Sequence, residues 1–242
     1  MTPGGSRRPE PVVRHLAVTR RARLAVLGEA GPEVRELWIV LHGYRQLAAY
    51  FIRRFSAIAG SCRMVVAPEA LNRFYLDDAP GRHGPESRVG ATWMTREDRE
   101  TEIRDYVDYL DALHDEMTAG LPEGIRTVAV GFSQGVHTLA RWGTLGRSRL
   151  DTLVFWGEVL PPDLDLDAGR KALAGVGLLS VQGREDAHLT PELLARQERQ
   201  VETMGAALPV HWHPGGHRLD PEALQQVVAR LDAEEVERRA RD

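Results

Sequence analysis

Apolar residues occur along the chain in short continuous runs, separated by amphipathic stretches. The runs have the length of strands, and they lack the alternation of apolar and polar residues that marks a strand exposed on one face. Strands buried on both faces are typical of a parallel sheet covered by helices. Six such runs occupy residues 37–43, 63–70, 127–133, 152–158, 177–183 and 209–215.

Amphipathic stretches lie between these runs. In residues 97–118 the apolar side chains recur at a spacing of about 3.6 residues, with Asp, Glu and Arg between them, which predicts a helix with one buried face. Weaker helical patterns occupy 46–59, 134–145, 190–204 and 220–238. Two early runs, 12–18 and 23–28, predict an antiparallel strand pair. The alternation predicts an α/β fold with a mostly parallel twisted sheet and helices on both faces.

Neither an internal repeat nor a linker divides the chain, so we expect one domain over residues 12–235. Residues 1–11 are rich in Pro, Gly and Arg and predict a flexible N-terminal tail, and residues 236–242 predict a C-terminal tail. The turn-rich stretch 68–95 is long enough to fold over a site as a partial lid. No long insertion follows Trp156, so no separate cap domain is expected.

The composition narrows the function classes. The net charge is −4 and the arginines are scattered among acidic residues, so nucleic-acid binding is not expected. No apolar run approaches the roughly 18 residues that cross a membrane, and the first residues lack the apolar core of a secretory signal. Cys62 is the single cysteine, so no intrachain disulfide can form. These features predict a cytoplasmic protein.

The segment GFSQG at 131–135 places one serine between two glycines, after a strand-like run and before a helical stretch. A plain helix cap is one interpretation, because Ser favours N-caps and Gly favours turns. The context indicates a nucleophile elbow instead, in which the strand turns sharply into the helix and exposes the side chain of Ser133. The N-terminus of that helix would favour a developing negative charge.

A serine nucleophile needs a base and an acid, which on such a fold follow later strands. The predicted strand that ends near residue 183 is followed by Asp186, and the one that ends near residue 215 is followed by His217. We therefore expect Ser133 to attack the substrate and His217 to accept and return its proton. Asp186 would orient the imidazole and stabilise its charged form.

Other residues near these positions are alternatives. Glu185 is a second candidate for the acid, and His211 and His213 are further candidates for the base. A metal site is a further alternative, which could be suggested by the group His188, His211, His213, His217 and Asp186. No histidine pair at helical spacing and no cysteine cluster accompanies them, so no metal is expected.

These motifs make the chain resemble the α/β-hydrolase superfamily, and within it the phospholipase/carboxylesterase family that includes the acyl-protein thioesterases. The resemblance covers about residues 35 to 235 in the order of the elements. The segments that carry it are LHGY at 41–44, ATWMTREDRE at 91–100, GFSQG at 131–135, QGREDAHLTP at 182–191 and PGGHRLDPEAL at 214–224.

The resemblance implies a serine hydrolase that cleaves a small-molecule acyl ester, a thioester or a lysophospholipid through an acyl-enzyme, without metal or cofactor. The backbone N–H groups of Tyr44 and Gln134 would form the oxyanion hole. His42 would brace the loop that contains Tyr44, and Trp93 would either line the acyl pocket or belong to the core. The resemblance also admits a homodimer.

Two alternatives remain from other classes of function. A ligand-binding protein on a hydrolase scaffold would show no turnover, and the complete order of serine, acid and histidine argues against it. An acyltransferase or perhydrolase would use the same residues, and the sequence does not separate it from a hydrolase.

Overall fold

The computed structural model of the chain describes residues 10–76 and 83–240. The strands are β1 (Leu24–Leu27), β2 (Glu36–Leu41), β3 (Arg63–Pro68), β4 (Asn72–Tyr75), β5 (Val89–Thr92), β6 (Arg126–Phe132), β7 (Thr152–Trp156), β8 (Gly177–Gly183) and β9 (Val210–His213). The helices are α1 (Ala48–Phe51), α2 (Arg99–Thr118), α3 (Gln134–Leu145), α4 (Leu166–Ala172), α5 (Pro191–Met204) and α6 (Pro221–Arg239). Most of the expected N-terminal tail, residues 77–82 of the expected lid and the end of the expected C-terminal tail lie outside the described residues.

Seven strands form one sheet in the order β1-β3-β2-β6-β7-β8-β9, and β4 pairs separately with β5. Within the seven-stranded sheet β1 is antiparallel to β3, and every other neighbouring pair is parallel. The α/β fold with a mostly parallel sheet is therefore confirmed. None of the helices in the described ranges has both the length and the apolar character needed to span a membrane.

The sheet is buried on both faces, and β2 illustrates how its sequence achieves this. Leu37, Ile39 and Leu41 belong to a core cluster that includes residues of α2, α3 and α5. Trp38 and Val40 belong to a second cluster, with residues of α1 and α6. Because successive side chains of a strand point to opposite faces, only a continuous apolar run can fill both clusters.

The expected antiparallel pair at the start of the chain is wrong. Residues 24–27 do form β1, but its partner is β3, and residues 12–18 form no strand. Residues 12–18 instead run towards α2, where His15 Nε2 lies 2.7 Å from Asp98 Oδ2. The large apolar side chains of this segment are more than three-quarters exposed, so no packing against the sheet holds it in a strand.

The ends of the parallel strands bring the predicted site residues to one edge of the sheet. Ser133 directly follows β6, Asp186 follows β8 and His217 follows β9. Since the carboxyl ends of parallel strands meet at the same edge, this topology places the three residues on one side of the molecule.

Candidate active site

Ser133 occupies the turn between β6 and α3, in a backbone conformation that few residues other than glycine adopt. Its φ is 53° and its ψ is −121°. The turn is held by the N–H of Ser133, which donates to the carbonyl oxygen of Trp156 at 2.9 Å. A positive φ costs free energy in a residue with a side chain, and such strain is found where function demands it. The local geometry is that of a strand turning sharply into a helix.

Asp186 and His217 form a hydrogen-bonded pair. The Oδ2 atom of Asp186 lies 2.7 Å from Nδ1 of His217. Asp186 is buried, and its other oxygen, Oδ1, accepts the backbone N–H of His188 at 2.9 Å. A carboxylate can only accept hydrogen bonds, so the ring proton of His217 lies on Nδ1. Its Nε2 is then left to accept a proton from a nucleophile.

A cavity of about 200 Å³ lies at Ser133 and His217, and both residues line it. One side chain of the wall, Phe132, packs on the His217 ring, with ring centroids 5.2 Å apart. The structure thus brings the predicted nucleophile, Ser133, and the predicted base, His217, to one cavity. The predicted acid, Asp186, contacts the Nδ1 atom of that base.

The loop after β2 places Tyr44 in the wall of this cavity. Gln46 Oε1 accepts the N–H of Gly43 at 2.8 Å, and the N–H of Arg45 donates to the carbonyl oxygen of Ala91 in β5 at 2.9 Å. Within the described part of the chain, no hydrogen bond occupies the N–H of Tyr44 or that of Gln134. Free backbone N–H groups that face a reacting carbonyl can stabilise an oxyanion.

The side chain of Gln134 has a role that the sequence did not indicate, since only its backbone was expected to act. Its Oε1 accepts the N–H of Trp93 at 3.1 Å, and its Nε2 donates to the carbonyl oxygen of Met94 at 3.0 Å. These contacts fix the start of α3 to the segment that follows β5. No sequence pattern marks such a contact, because its two partners are about forty residues apart.

Trp93 belongs to the core, the second of the two roles considered for it. Its side chain is 2% exposed, and its Nε1–H donates to the carbonyl oxygen of His42 at 2.8 Å. The described residues that line the cavity at Ser133 do not include it. A buried indole N–H needs an acceptor, and the carbonyl oxygen of His42 supplies it.

His42 contacts the backbone of the loop after β2, which contains Tyr44. Its Nδ1 lies 2.8 Å from the carbonyl oxygen of Gly43, and its Nε2 accepts the N–H of Ala70 at 3.1 Å. Burial lowers the pKa of His42, which keeps the imidazole neutral. A neutral ring with the proton on Nδ1 satisfies both contacts, so His42 can hold the loop without carrying charge.

The alternative acid and bases lie in different surroundings. Glu185 is exposed, and none of the described contacts joins its carboxylate to His217. The His213 ring is buried, packs 6.0 Å from Trp156 and accepts the N–H of Gly215. His211 Nε2 is buried, with no partner among the described residues. Neither of these two histidines lines the cavity at Ser133, as far as its described wall shows.

The sequence model described as serine hydrolase (FSH1) matches residues 35–229. The chain belongs to this serine hydrolase family. The family and the structures below also confirm the resemblance to the esterases and acyl-protein thioesterases of the α/β-hydrolase fold. A search of the curated proteins finds no match to the sequence.

Solved structures similar to this family member carry the same fold. A carboxylesterase from Bacillus cereus has a TM-score of 0.64 at 15% identity, over 88% of this chain and 94% of that one. Acyl-protein thioesterase 2 from Zea mays has a TM-score of 0.62 at 16% identity, over 88% and 99%. A carboxylesterase from Mesorhizobium loti has a TM-score of 0.60 at 21% identity, over 86% and 93%. At these identities the likeness concerns the fold alone.

A group of side chains in this family member could also hold a metal ion. Asp186, His188 and His217 each offer one ligand atom, and these atoms lie within 4.8 Å of one another. His188 and His217 contact edge to face, with ring centroids 4.7 Å apart. Asp186 and His217 of this group already form a hydrogen bond with each other. The expectation of chemistry without a metal stays a prediction.

His137, one helical turn after Ser133, gives the stability of this family member a predictable dependence on pH. Burial is the main cause that lowers the pKa of His137 to about 4, and the positive charges of Arg141 and Arg196 lower it further. The negative charge of Asp163 partly opposes this shift. Histidine in an unfolded chain has a pKa of about 6.5. As the pH falls, the unfolded chain therefore binds the proton first.

We therefore expect the contribution of the neutral His137 ring to the free energy of unfolding to be complete above about pH 6.5. This contribution is lost as the pH falls to about 4. The loss amounts to at most about 3 kcal/mol in the free energy of unfolding. Urea unfolding of the wild type and of His137→Gln, at about pH 7 and about pH 4.5, measures it. The variant should lose less stability over this interval, and equal losses would contradict the prediction.

Proposed function

We propose that this serine hydrolase cleaves small carboxylic esters through an acyl-enzyme intermediate on Ser133. The observation that carries the proposal is the shared cavity of Ser133 and His217, with the Nδ1 of His217 hydrogen-bonded to Asp186. The strained backbone of Ser133 supports it, because the turn presents the side chain at the N-terminus of α3.

In the first half of the reaction, Ser133 Oγ attacks the ester carbonyl carbon while His217 Nε2 takes the hydroxyl proton. The carbonyl electron pair moves to the oxygen, where the N–H groups of Tyr44 and Gln134 stabilise the negative charge. The bond to the alcohol oxygen then breaks, and that oxygen receives the proton from Nε2. The alcohol leaves, and the acyl group stays on Ser133.

In the second half, water replaces the alcohol. His217 Nε2 takes a proton from the water as its oxygen attacks the acyl carbon, and the same N–H groups stabilise the second oxyanion. Collapse of this intermediate breaks the bond to Ser133 Oγ, which recovers its proton from Nε2. Asp186 stabilises the imidazolium in both halves and takes no proton itself.

The size of the cavity favours short acyl groups. Its volume of about 200 Å³ is below the range of about 300–1,000 Å³ that holds drug-sized ligands. A long lysophospholipid chain would extend well beyond it. Thioesters pass through the same kind of tetrahedral intermediate, so short thioesters belong to the same proposed substrate class.

Labelling with a fluorophosphonate probe tests the nucleophile. We expect the wild type to be labelled and Ser133→Ala to remain unlabelled, because the probe bonds to an activated serine oxygen. His217→Ala should also remain unlabelled or react far more slowly, because Ser133 then has no base. Ser56→Ala is the matched control and should label like the wild type, since Ser56 is an exposed serine outside the cavity.

Two results would contradict the proposal. Equal labelling of the wild type and Ser133→Ala would show another nucleophile, and no labelling of either protein would favour a ligand-binding scaffold. Product analysis in buffer with added alcohol separates the remaining alternative, because an acyltransferase would form a new ester instead of the free acid.

A further inference from the structure

The wall of the cavity at Ser133 carries two arginines from different parts of the fold. Arg54 belongs to the 3₁₀ turn Ile52–Phe55, which follows α1, and Arg218 directly follows His217. The other described lining residues are Gly43, Tyr44, Gln46, Phe132 and Leu219. Within its described part, the wall therefore contains two arginines and no acidic residue.

The two arginines differ in how far their charge is compensated. Arg218 Nη2 donates to Asp220 Oδ2 at 3.0 Å. The other oxygen of Asp220 accepts the N–H groups of Glu222 and Ala223 and so caps α6. The Arg218 guanidinium thus has an anionic partner of its own, although its side chain is largely exposed.

The guanidinium of Arg54 has no such partner. Among the residues that the structure describes, none accepts a hydrogen bond from it or forms an ion pair with it. Its neighbour Arg53 lies outside the cavity, where its guanidinium carbon stacks 5.3 Å from the centre of the Tyr50 ring. Since arginine stays charged throughout the usual pH range, Arg54 is an uncompensated cation among the residues that line the cavity at Ser133.

The small volume of the cavity limits how far a bound substrate can extend from the reacting carbonyl. A group that reaches Arg54 within about 200 Å³ must lie only a few bonds from the carbonyl carbon held at Ser133. A guanidinium binds a carboxylate through two parallel charge-assisted hydrogen bonds, and these are stronger than hydrogen bonds between neutral groups.

We propose that the substrate is a short ester with a carboxylate a few bonds from the scissile carbonyl, and that Arg54 binds this carboxylate with support from Arg218. The inference rests on the proposed function, because it concerns the same cavity. Hydrolysis breaks the acyl–oxygen bond and consumes one water, and the recognised carboxylate is unchanged. The carboxylate can belong to the acyl part or to the alcohol part of the ester.

Two pairs of substrates test the proposal and separate these two sources. For the acyl part, the p-nitrophenyl monoester of succinic acid is compared with p-nitrophenyl 4-methylpentanoate, a neutral ester of nearly the same shape. For the alcohol part, O-acetylglycolate is compared with isobutyl acetate. The measured quantity is the ratio of kcat/KM for the charged member to kcat/KM for the neutral member of each pair.

We expect this ratio to exceed one in at least one pair, and to fall by about tenfold to a hundredfold in Arg54→Gln. Arg218→Gln should lower the ratio less, because Asp220 already compensates that charge. Arg53→Gln is the matched control, an arginine next in sequence and outside the cavity wall, and it should keep the wild-type ratio.

The possible failures are distinguishable. If the wild type hydrolyses the neutral esters but prefers the charged member of neither pair, or if Arg54→Gln keeps the wild-type ratio, the inference is overturned and the serine hydrolase proposal stands. If the wild type hydrolyses no ester of the series and the fluorophosphonate probe does not label it, the proposed function fails and this inference fails with it.

Discussion

Asp186→Asn is expected to lower kcat for ester hydrolysis by about 10⁴-fold while the protein stays folded. The Asp186 carboxylate accepts the Nδ1–H of His217 at 2.7 Å, which leaves Nε2 free to take the proton of Ser133. An asparagine amide can instead donate to Nδ1. The ring proton then moves to Nε2, and the histidine can no longer act as a base towards Ser133.

The matched control for this change is Glu185→Gln, since Glu185 is the neighbouring acid. Its exposed side chain has no described contact with His217, so we expect kcat to stay within about threefold of the wild type. Steady-state hydrolysis of p-nitrophenyl acetate gives kcat, and urea unfolding checks that both variants fold. The reverse result, a large loss in Glu185→Gln and none in Asp186→Asn, would assign the acid to Glu185.

The sequence predicted most of the parallel sheet because burial on both faces leaves a clear pattern. Runs such as Leu37–Leu41 have no polar position, and this pattern holds wherever helices cover both faces. The hairpin of β4 and β5 was not predicted, because its strands are short and mixed in character. Its placement depends on backbone contacts between Arg45, Gln46 and Ala91, which are distant in sequence.

Helix α4 was also missed, although a local signal was present. It has only seven residues and contains Gly169, so its periodicity is weak. Asp165, whose side chain accepts the N–H of Ala168, is an N-cap that could have indicated its start. Short helices of this kind are stabilised more by their packing than by their own sequence.

For the candidate site, the sequence predicted residue types and chain order, and packing determined the rest. Asp186 and His217 were expected to act together because they follow later strands, and the structure places them in hydrogen-bond contact. The Gln134 side chain and the charge of Arg54 were not expected. Their roles depend on which distant segments meet at the cavity, and no local pattern contains that information.

Gly131→Ala is expected to destabilise the protein by about 4 kcal/mol or more, a large part of the 5–15 kcal/mol typical of folded domains. A Cβ atom at position 131 would lie 2.3 Å from the carbonyl oxygen of Gly135, where β6 and α3 meet. Gly135 cannot move away freely, because a Cβ placed there would itself lie 2.4 Å from the carbonyl oxygen of Leu41. Both obstacles are backbone atoms, so no side-chain rotation relieves the clash.

Gly120→Ala is the control for the loss of a glycine as such. An added Cβ there meets no atom within 4 Å, and Gly120 is not among the glycines with positive φ. Its effect should stay within about 1 kcal/mol of the wild type. Urea unfolding monitored by circular dichroism compares the two variants, and a midpoint for Gly131→Ala equal to that of Gly120→Ala would contradict the prediction. Because the same contact sets the backbone of Ser133, any folded Gly131→Ala should also lose fluorophosphonate labelling, whereas Gly120→Ala should label normally.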